Sequence, residues 1–221
     1  MSKTPTDLAP LRHTAAHLLA HAVVDLFGAD VQLAIGPAID DGFYYDFLKS
    51  PPFVPEDLPR LEERMRQLVA GGLDMTGKQV SRAEAQAYFR ERHQPFKLEI
   101  LEGIPADEPI TFYTIGAFTD LCRGGHVANS CDVGAVKLLS LAGAYWRGDE
   151  HNVMLQRIYG TAFPTQAELD AYLLKLEEAE RRDHRRIGRE LDLFSIEEEA
   201  GPGLVFWHAQ GGRVRAVIED F

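Results

Sequence analysis

Residues 11–27 place apolar side chains at Leu11, Ala15, Leu18, Leu19, Ala22 and Leu26. Recurrence at spacings of three and four predicts an amphipathic helix. Pro10 suits its start, where the missing N–H costs nothing. His13, His17 and His21 form a second line, its centre roughly 150° from the apolar stripe at about 100° per residue. The histidines are therefore expected to face water or a cleft, not the core. Residues 1–7 are polar and read as a loose lead-in.

Farther along, the pattern shifts to strands. Residues 31–35 and the aromatic run 43–47 predict a hairpin around the turn signal Asp40–Asp41–Gly42. Pro51, Pro52 and Pro55 lead into a charged helix over residues 56–70, stopped by Gly71 and Gly72. Ser81 and Glu84 form a capping box for a helix reaching residue 92, and Thr165 and Glu168 form another for the longest helix. Strands are predicted at residues 96–101, 111–115, 136–141 and 154–159, with a turn-rich aromatic segment at 142–149. The glycines around Cys122 permit neither helix nor strand to be assigned there. The reading is an α+β chain: one domain over residues 1–163, a helical connector over 164–194, and at 195–221 the leading edge of another unit. Gly201–Pro202–Gly203 marks that boundary, and the stretch from Leu204 opens something the remaining residues do not finish, as in a piece of a larger protein.

Composition narrows the class. A chain of 221 residues with 45% hydrophobic and 26% charged residues is ordinary globular material. With 34 acidic against 23 basic residues and a net charge of -11, indiscriminate coating of nucleic acid is excluded, although a local patch can still handle one RNA end. Two cysteines make no disulfide framework. Neither a leader nor a membrane-length apolar run is evident, so a cytoplasmic protein without a membrane partner is expected.

Chemistry concentrates in His13, His17, Cys122 and His126. Two histidines on one helix and a Cys-x3-His pair can be zinc ligands. The same groups can form a metal-free hydrolytic pocket in which imidazoles orient or deprotonate water, or they can simply be half-exposed histidines with a structural cysteine. Asp120 and Arg123 are the next candidates, followed by Tyr44, Tyr45 and Lys97. The tyrosines alternate across their strand, so at most one faces the cleft. Arginines at 181–189 are interspersed with acids, which fits a salt-bridged helix face as well as a phosphate-contacting one.

The segments RHTAAHLLAHAV, LAIGPAIDDGFYYDF, FTDLCRGGHVANS, LAGAYWRGDEHNVMLQRIYGTAF and RRDHRRIGRELDLFSI, with GPGLVFWH, together resemble the bacterial threonyl-tRNA synthetase family from Leu11 to Phe221. The histidine and cysteine pairs alone are shared with alanyl-tRNA synthetase editing domains. The resemblance implies an editing domain of that α+β type, with antiparallel sheet and helices around a cleft, joined to the start of a class II aminoacylation core. The implied activity is hydrolysis of serine from mischarged tRNA(Thr), at the 3′-terminal adenosine. His13, His17, Cys122 and His126 match the catalytic positions. Asp120, Lys97 (placed in a strand), Tyr44 and Arg123 are expected to bind substrate. The resemblance argues against zinc at this site, although those four residues would be its ligands. ATP, magnesium and another zinc would belong to the rest of a full-length enzyme, as would a homodimer interface. Gly125 stands where the family usually has proline, which loosens the loop. The alternatives are a zinc-dependent deacylase of the alanyl type and a non-catalytic tRNA-binding appendage.

Overall fold

The structure, a computed structural model, describes residues 7–201 and 203–221. Residues 1–6 of the expected lead-in and Pro202 of the expected boundary lie outside them. The chain forms two compact units, the first ending at Leu169 and the second beginning at Asp170.

The first unit opens with helix α1 (Ala9–Phe27), with Pro10 in its first turn. Strands β1 (Gln32–Leu33), β2 (Ala38–Ile39) and β3 (Gly42–Leu48) follow. The expected hairpin forms: Leu33 lies opposite Phe47, and Ile39 opposite Gly42 across the turn Asp40–Asp41. Helix α2 (Asp57–Ala70) comes next, and later β7 (Ala135–Tyr145) and β8 (Met154–Phe163) complete an antiparallel sheet ordered β1-β3-β8-β7, with β2 also on β3. One sheet face buries Phe43, Tyr45, Phe47 and Ile158 against Leu18 and Leu19 of α1 and Leu61 and Met65 of α2. Each such side chain contributes about 1.5–3 kcal/mol on leaving water. A bulge between Leu138 and Ser140 bends β7. The buried Glu62 carboxylate serves it, accepting from the Leu138 N–H at 3.1 Å and pairing with Lys137 at 3.0 Å.

A smaller layer comprises β4 (Met75–Val80), α3 (Arg82–Glu91), α4 (Pro95–Glu102), β5 (Ile110–Ile115) and β6 (Phe118–Leu121), with an antiparallel sheet ordered β4-β5-β6. Its core is Ala85, Phe89, Leu101, Ile110 and Phe112. The Ser81–Glu84 capping box closes the start of α3 as expected. Helix α5 (Gln166–Arg181) begins with reciprocal hydrogen bonds between Thr165 and Glu168. The second unit holds α6 (His184–Glu190), β9 (Phe194–Ile196), β10 (Val205–Trp207) and α7 (Ala209–Glu219), with β9 and β10 antiparallel.

Several expectations are corrected. Residues 96–101, expected as a strand, are helical in α4. Pro95 starts that helix, and Phe96, Lys97 and Leu101 are buried along it, a spacing a helix satisfies as well as partial alternation does. The strand expected at 31–35 is confined to Gln32–Leu33. The segment 142–149 is not all turn: β7 continues to Tyr145, because Ala142 and Gly143 pair with Arg157 and Gln156. Both stripes of α1 are covered. His17 and His21 are 3% and 5% exposed, as buried as the leucines behind them, because Phe118 of β6 packs on that side. Of the expected line, His21 is closed over by Phe118, whereas His13 and His17 face a cavity as expected.

Candidate active site

The site is built where α1 meets the segment following β6. His13 and His17 project from consecutive turns of α1. Cys122 and His126 come from the irregular stretch after Leu121. Gly124 and Gly125 take φ of 101° and 82° there, a region that only glycine enters at little cost. A Cβ on Gly124 would lie 2.7 Å from the Tyr113 hydroxyl, so this position also needs glycine for space. Thr14 fastens the segment to the helix. Its hydroxyl donates to the Pro10 carbonyl at 2.9 Å and accepts from the Val127 N–H at 3.1 Å.

The four expected residues converge. One ligand-type atom from each of His13, His17, Cys122 and His126 falls within 4.8 Å of the others. Cys122 Sγ lies 3.1 Å from His126 Nε2 and 3.5 Å from His13 Nε2. Ring centroids are 4.3 Å apart for His13 and His126, and 4.7 Å for His17 and His126. Because the Thr14 proton is committed to Pro10, the 3.4 Å contact between Thr14 Oγ1 and His126 Nδ1 requires the imidazole to donate. That tautomer leaves His126 Nε2 as an acceptor facing the thiol.

Burial sets the charge state. Desolvation lowers the His17 pKa to about 4, opposed by the nearby Asp120 carboxylate. Desolvation, reinforced by His17 and His13, lowers that of His126 to about 3. His13 is lowered too, again chiefly by burial, while burial raises the Cys122 thiol. Near neutral pH the cluster is three neutral imidazoles and a protonated thiol, not a thiolate–imidazolium pair. It can accept protons and donate hydrogen bonds, but it is poorly set for attack by sulfur.

A cavity of about 390 Å³ opens against the cluster, lined by His13, His17 and Cys122 together with Tyr45, Lys97 and Asp120. His126 is not part of this lining and meets it through Cys122. Lys97 Nζ is 2.6 Å from Asp120 Oδ1, and Tyr45 Oη donates to Asp120 Oδ2 at 2.6 Å. Burial alone would raise the Asp120 carboxyl. Lys97, His17 and the hydrogen bonds from Lys97 and Tyr45 outweigh it and hold the carboxyl below its usual range. Lys97 also donates to Tyr45 Oη at 2.9 Å, completing a buried triangle. Ile35, Ile100, Ile104, Pro109 and Leu121 supply apolar wall.

The remaining candidates fall elsewhere. Tyr44 is not in the cleft. It sits on the opposite sheet face with the Arg157 guanidinium 3.7 Å from its ring, and strand alternation gives the cleft to Tyr45 instead. Arg123 reaches the cavity rim, but its side chain is 80% exposed and pairs with Glu108. His21 stacks on Phe118 and lies 3.6 Å from Asp25, one turn beyond the cluster. Lys97 is in the site as expected, carried by α4 and not by a strand.

The donor set suits a tetrahedral cation. Zinc bonds of about 2.0–2.3 Å place ligand atoms about 3.3–3.8 Å apart, so the widest pair here would draw in by about an ångström. His17 Nδ1 is buried without a hydrogen-bond partner among the described residues, 4.0 Å from Asp120 Oδ2.

The fold is an α+β arrangement of antiparallel strands with this cluster at its cleft, and the sequence family described as the threonyl and alanyl tRNA synthetase second additional domain, an editing-type domain, matches residues 110–159. Threonine–tRNA ligases of Syntrophotalea carbinolica and Magnetococcus marinus are 54% and 53% identical over 99% of the chain, and that of Nitrosococcus oceani is 56% identical over 96%. Across nearly its whole length the chain is similar to a segment of these threonine–tRNA ligases. It spans about a third of the length of these relatives: 34%, 34% and 33%.

Proposed function

We propose that the chain hydrolyses the ester linking serine to the 3′-terminal adenosine of mischarged tRNA(Thr). The observation that carries this reading is that His13, His17 and Cys122, with His126 behind the thiol, converge on the wall of a cavity whose other polar wall is the Lys97–Asp120–Tyr45 triangle. Residues 1–163 would be the editing domain, 164–194 a connector, and 195–221 the start of an aminoacylation core. Threonine and serine differ by one methyl group, worth only about 1–3 kcal/mol of discrimination, so a second, hydrolytic site is useful.

In this reading a water approaches the ester carbonyl from the His13 and Cys122 side. His13 is the half-exposed imidazole with access to the cavity. It accepts the water's proton as the hydroxide oxygen bonds to the carbonyl carbon, then returns it to the ribose oxygen as the ester C–O bond breaks, freeing serine and the terminal adenosine. His17 stabilises the developing oxyanion from the buried side, and His126 orients the thiol through Nε2. Asp120, anionic and aimed by Lys97 and Tyr45, takes the amino acid's ammonium group or hydroxyl.

The test is hydrolysis of seryl-, threonyl- and alanyl-tRNA(Thr) by the parent chain and by His13→Ala and Cys122→Ala variants. Preferential release of serine, slowed about 100-fold or more by His13→Ala, is expected from the loss of a general base. Unchanged release in both variants would refute the assignment. One observation favours a second reading: the four donors lie close enough to hold zinc. Activity abolished by a chelator and restored by zinc, with ester release extending to alanine, would select that metal-dependent deacylase.

A further inference from the structure

The arginine run of the second unit is not a uniformly neutralised helix face. Arg181 and Arg182 both pair with Glu178, Arg185 with Asp183 at 2.8 Å, and Arg186 with Glu190 at 3.5 Å. Arg189 has no carboxylate or carbonyl partner among the described residues. In a chain with 34 acidic and 23 basic residues, a guanidinium left without a carboxylate is an uncompensated local charge.

Arg189 also stands between two cavities. One, of about 380 Å³, is lined by Arg185, Arg189, Asp192, Ser195 and His208, over an apolar base of Phe194 and Ile196. The other, of about 430 Å³, is lined by Arg185, Arg186 and Arg189 with Asp183 and Glu190. The carboxylates in both are already engaged. Asp192 Oδ1 lies 2.8 Å from His208 Nδ1, while Asp183 and Glu190 take Arg185 and Arg186. The Ser195 hydroxyl, 3.1 Å from His208 Nε2, continues the Asp192–His208 chain along the wall that Arg189 shares.

We propose that Arg189, the arginine of this run left without a carboxylate, binds a phosphate of an RNA strand. A planar guanidinium presents paired N–H donors matched to phosphate oxygens, and the flanking cavities give a backbone room to pass on either side. The choice of RNA over a small anion rests on the proposed action on aminoacyl-tRNA. The readout is binding and not ester cleavage, so failure of either reading is distinguishable from failure of the other.

The experiment measures fluorescence anisotropy of a labelled RNA hairpin carrying an ACCA 3′ end, titrated with the full chain from low to moderate salt. Arg189→Gln is expected to weaken binding roughly tenfold and to reduce the slope of log affinity against log salt by about one, as for one lost phosphate contact. Arg182→Gln, which removes an arginine already paired with Glu178, is the control and should change neither quantity. Far-UV circular dichroism confirms that each variant is folded. An unchanged affinity and slope in Arg189→Gln, or an equal loss in Arg182→Gln, overturns the proposal. Inorganic phosphate is titrated in parallel at constant ionic strength. Arg189-dependent binding of phosphate without binding of the hairpin overturns the RNA assignment.

Discussion

The chemistry of single residues here follows from what surrounds them more than from their type. Asp120 and Lys97 are 2% and 3% exposed and form one ion pair closed by a tyrosine hydroxyl. Removing one member of such a pair strands the other. Lys97→Met should cost on the order of 3–5 kcal/mol in urea unfolding, whereas Tyr45→Phe, which removes only hydrogen bonds, should cost about 1–3 kcal/mol. The buried histidines give a second test at this scale. The His17 pKa is about 4 when folded and near 6.5 when unfolded, so below pH 6.5 the unfolded chain binds a proton that the folded chain does not. Its contribution is present above pH 6.5 and is lost as pH falls toward 4, on the order of 3 kcal/mol. His17→Asn should therefore flatten the stability–pH profile in that window. In contrast, a parent-like slope in the variant would assign the acid sensitivity elsewhere.

At the scale of elements, the site depends on two glycines and one hydroxyl holding an irregular segment against a helix. Gly124→Ala would force a side chain into the Tyr113 hydroxyl at a positive φ, a strain of about 1–3 kcal/mol. The segment relieves it by moving Cys122 and His126. Ester hydrolysis is thus expected to fall at least about tenfold, since catalysis tolerates little displacement of its groups. Gly125→Ala, with nothing within 4 Å of the added carbon, should be milder in the same assay. Much at this scale was legible beforehand. Spacing of four placed His13 and His17 together, and the capping residues Ser81 and Thr165 marked their helices. Strand alternation also gave the correct rule for the tyrosines, that only one reaches the cleft. It could not say which, because the register of β3 against β8 is fixed by burial on both sheet faces and not by its own sequence. β4 was missed for the opposite reason: Thr76, Gly77, Lys78 and Gln79 are all exposed and carry no alternating apolar signal. The partners of Asp120 were invisible because Tyr45 and Lys97 lie 75 and 23 residues away.

For the whole molecule, the cluster, its cavity and all three hydrophobic cores lie in the unit that ends at Leu169. No helix among the described residues is long and apolar enough to cross a membrane. The proposed phosphate contact lies in the other unit, among residues 185–208. Separation of this kind predicts separable losses. A chain truncated after Leu169 should keep serine-ester hydrolysis at saturating substrate within about threefold, while KM rises as the Arg189 contact is lost. Equal loss of kcat and kcat/KM on truncation would show that the second unit takes part in the chemical step. A further consequence concerns biosynthesis. His13 and Cys122 are 109 positions apart, and β8, the strand between β3 and β7, ends only at Phe163. A nascent chain emerging from the ribosome therefore cannot assemble the His13–Cys122 contact in its final setting until most of this unit has been translated. Unfinished copies would lack the cluster altogether.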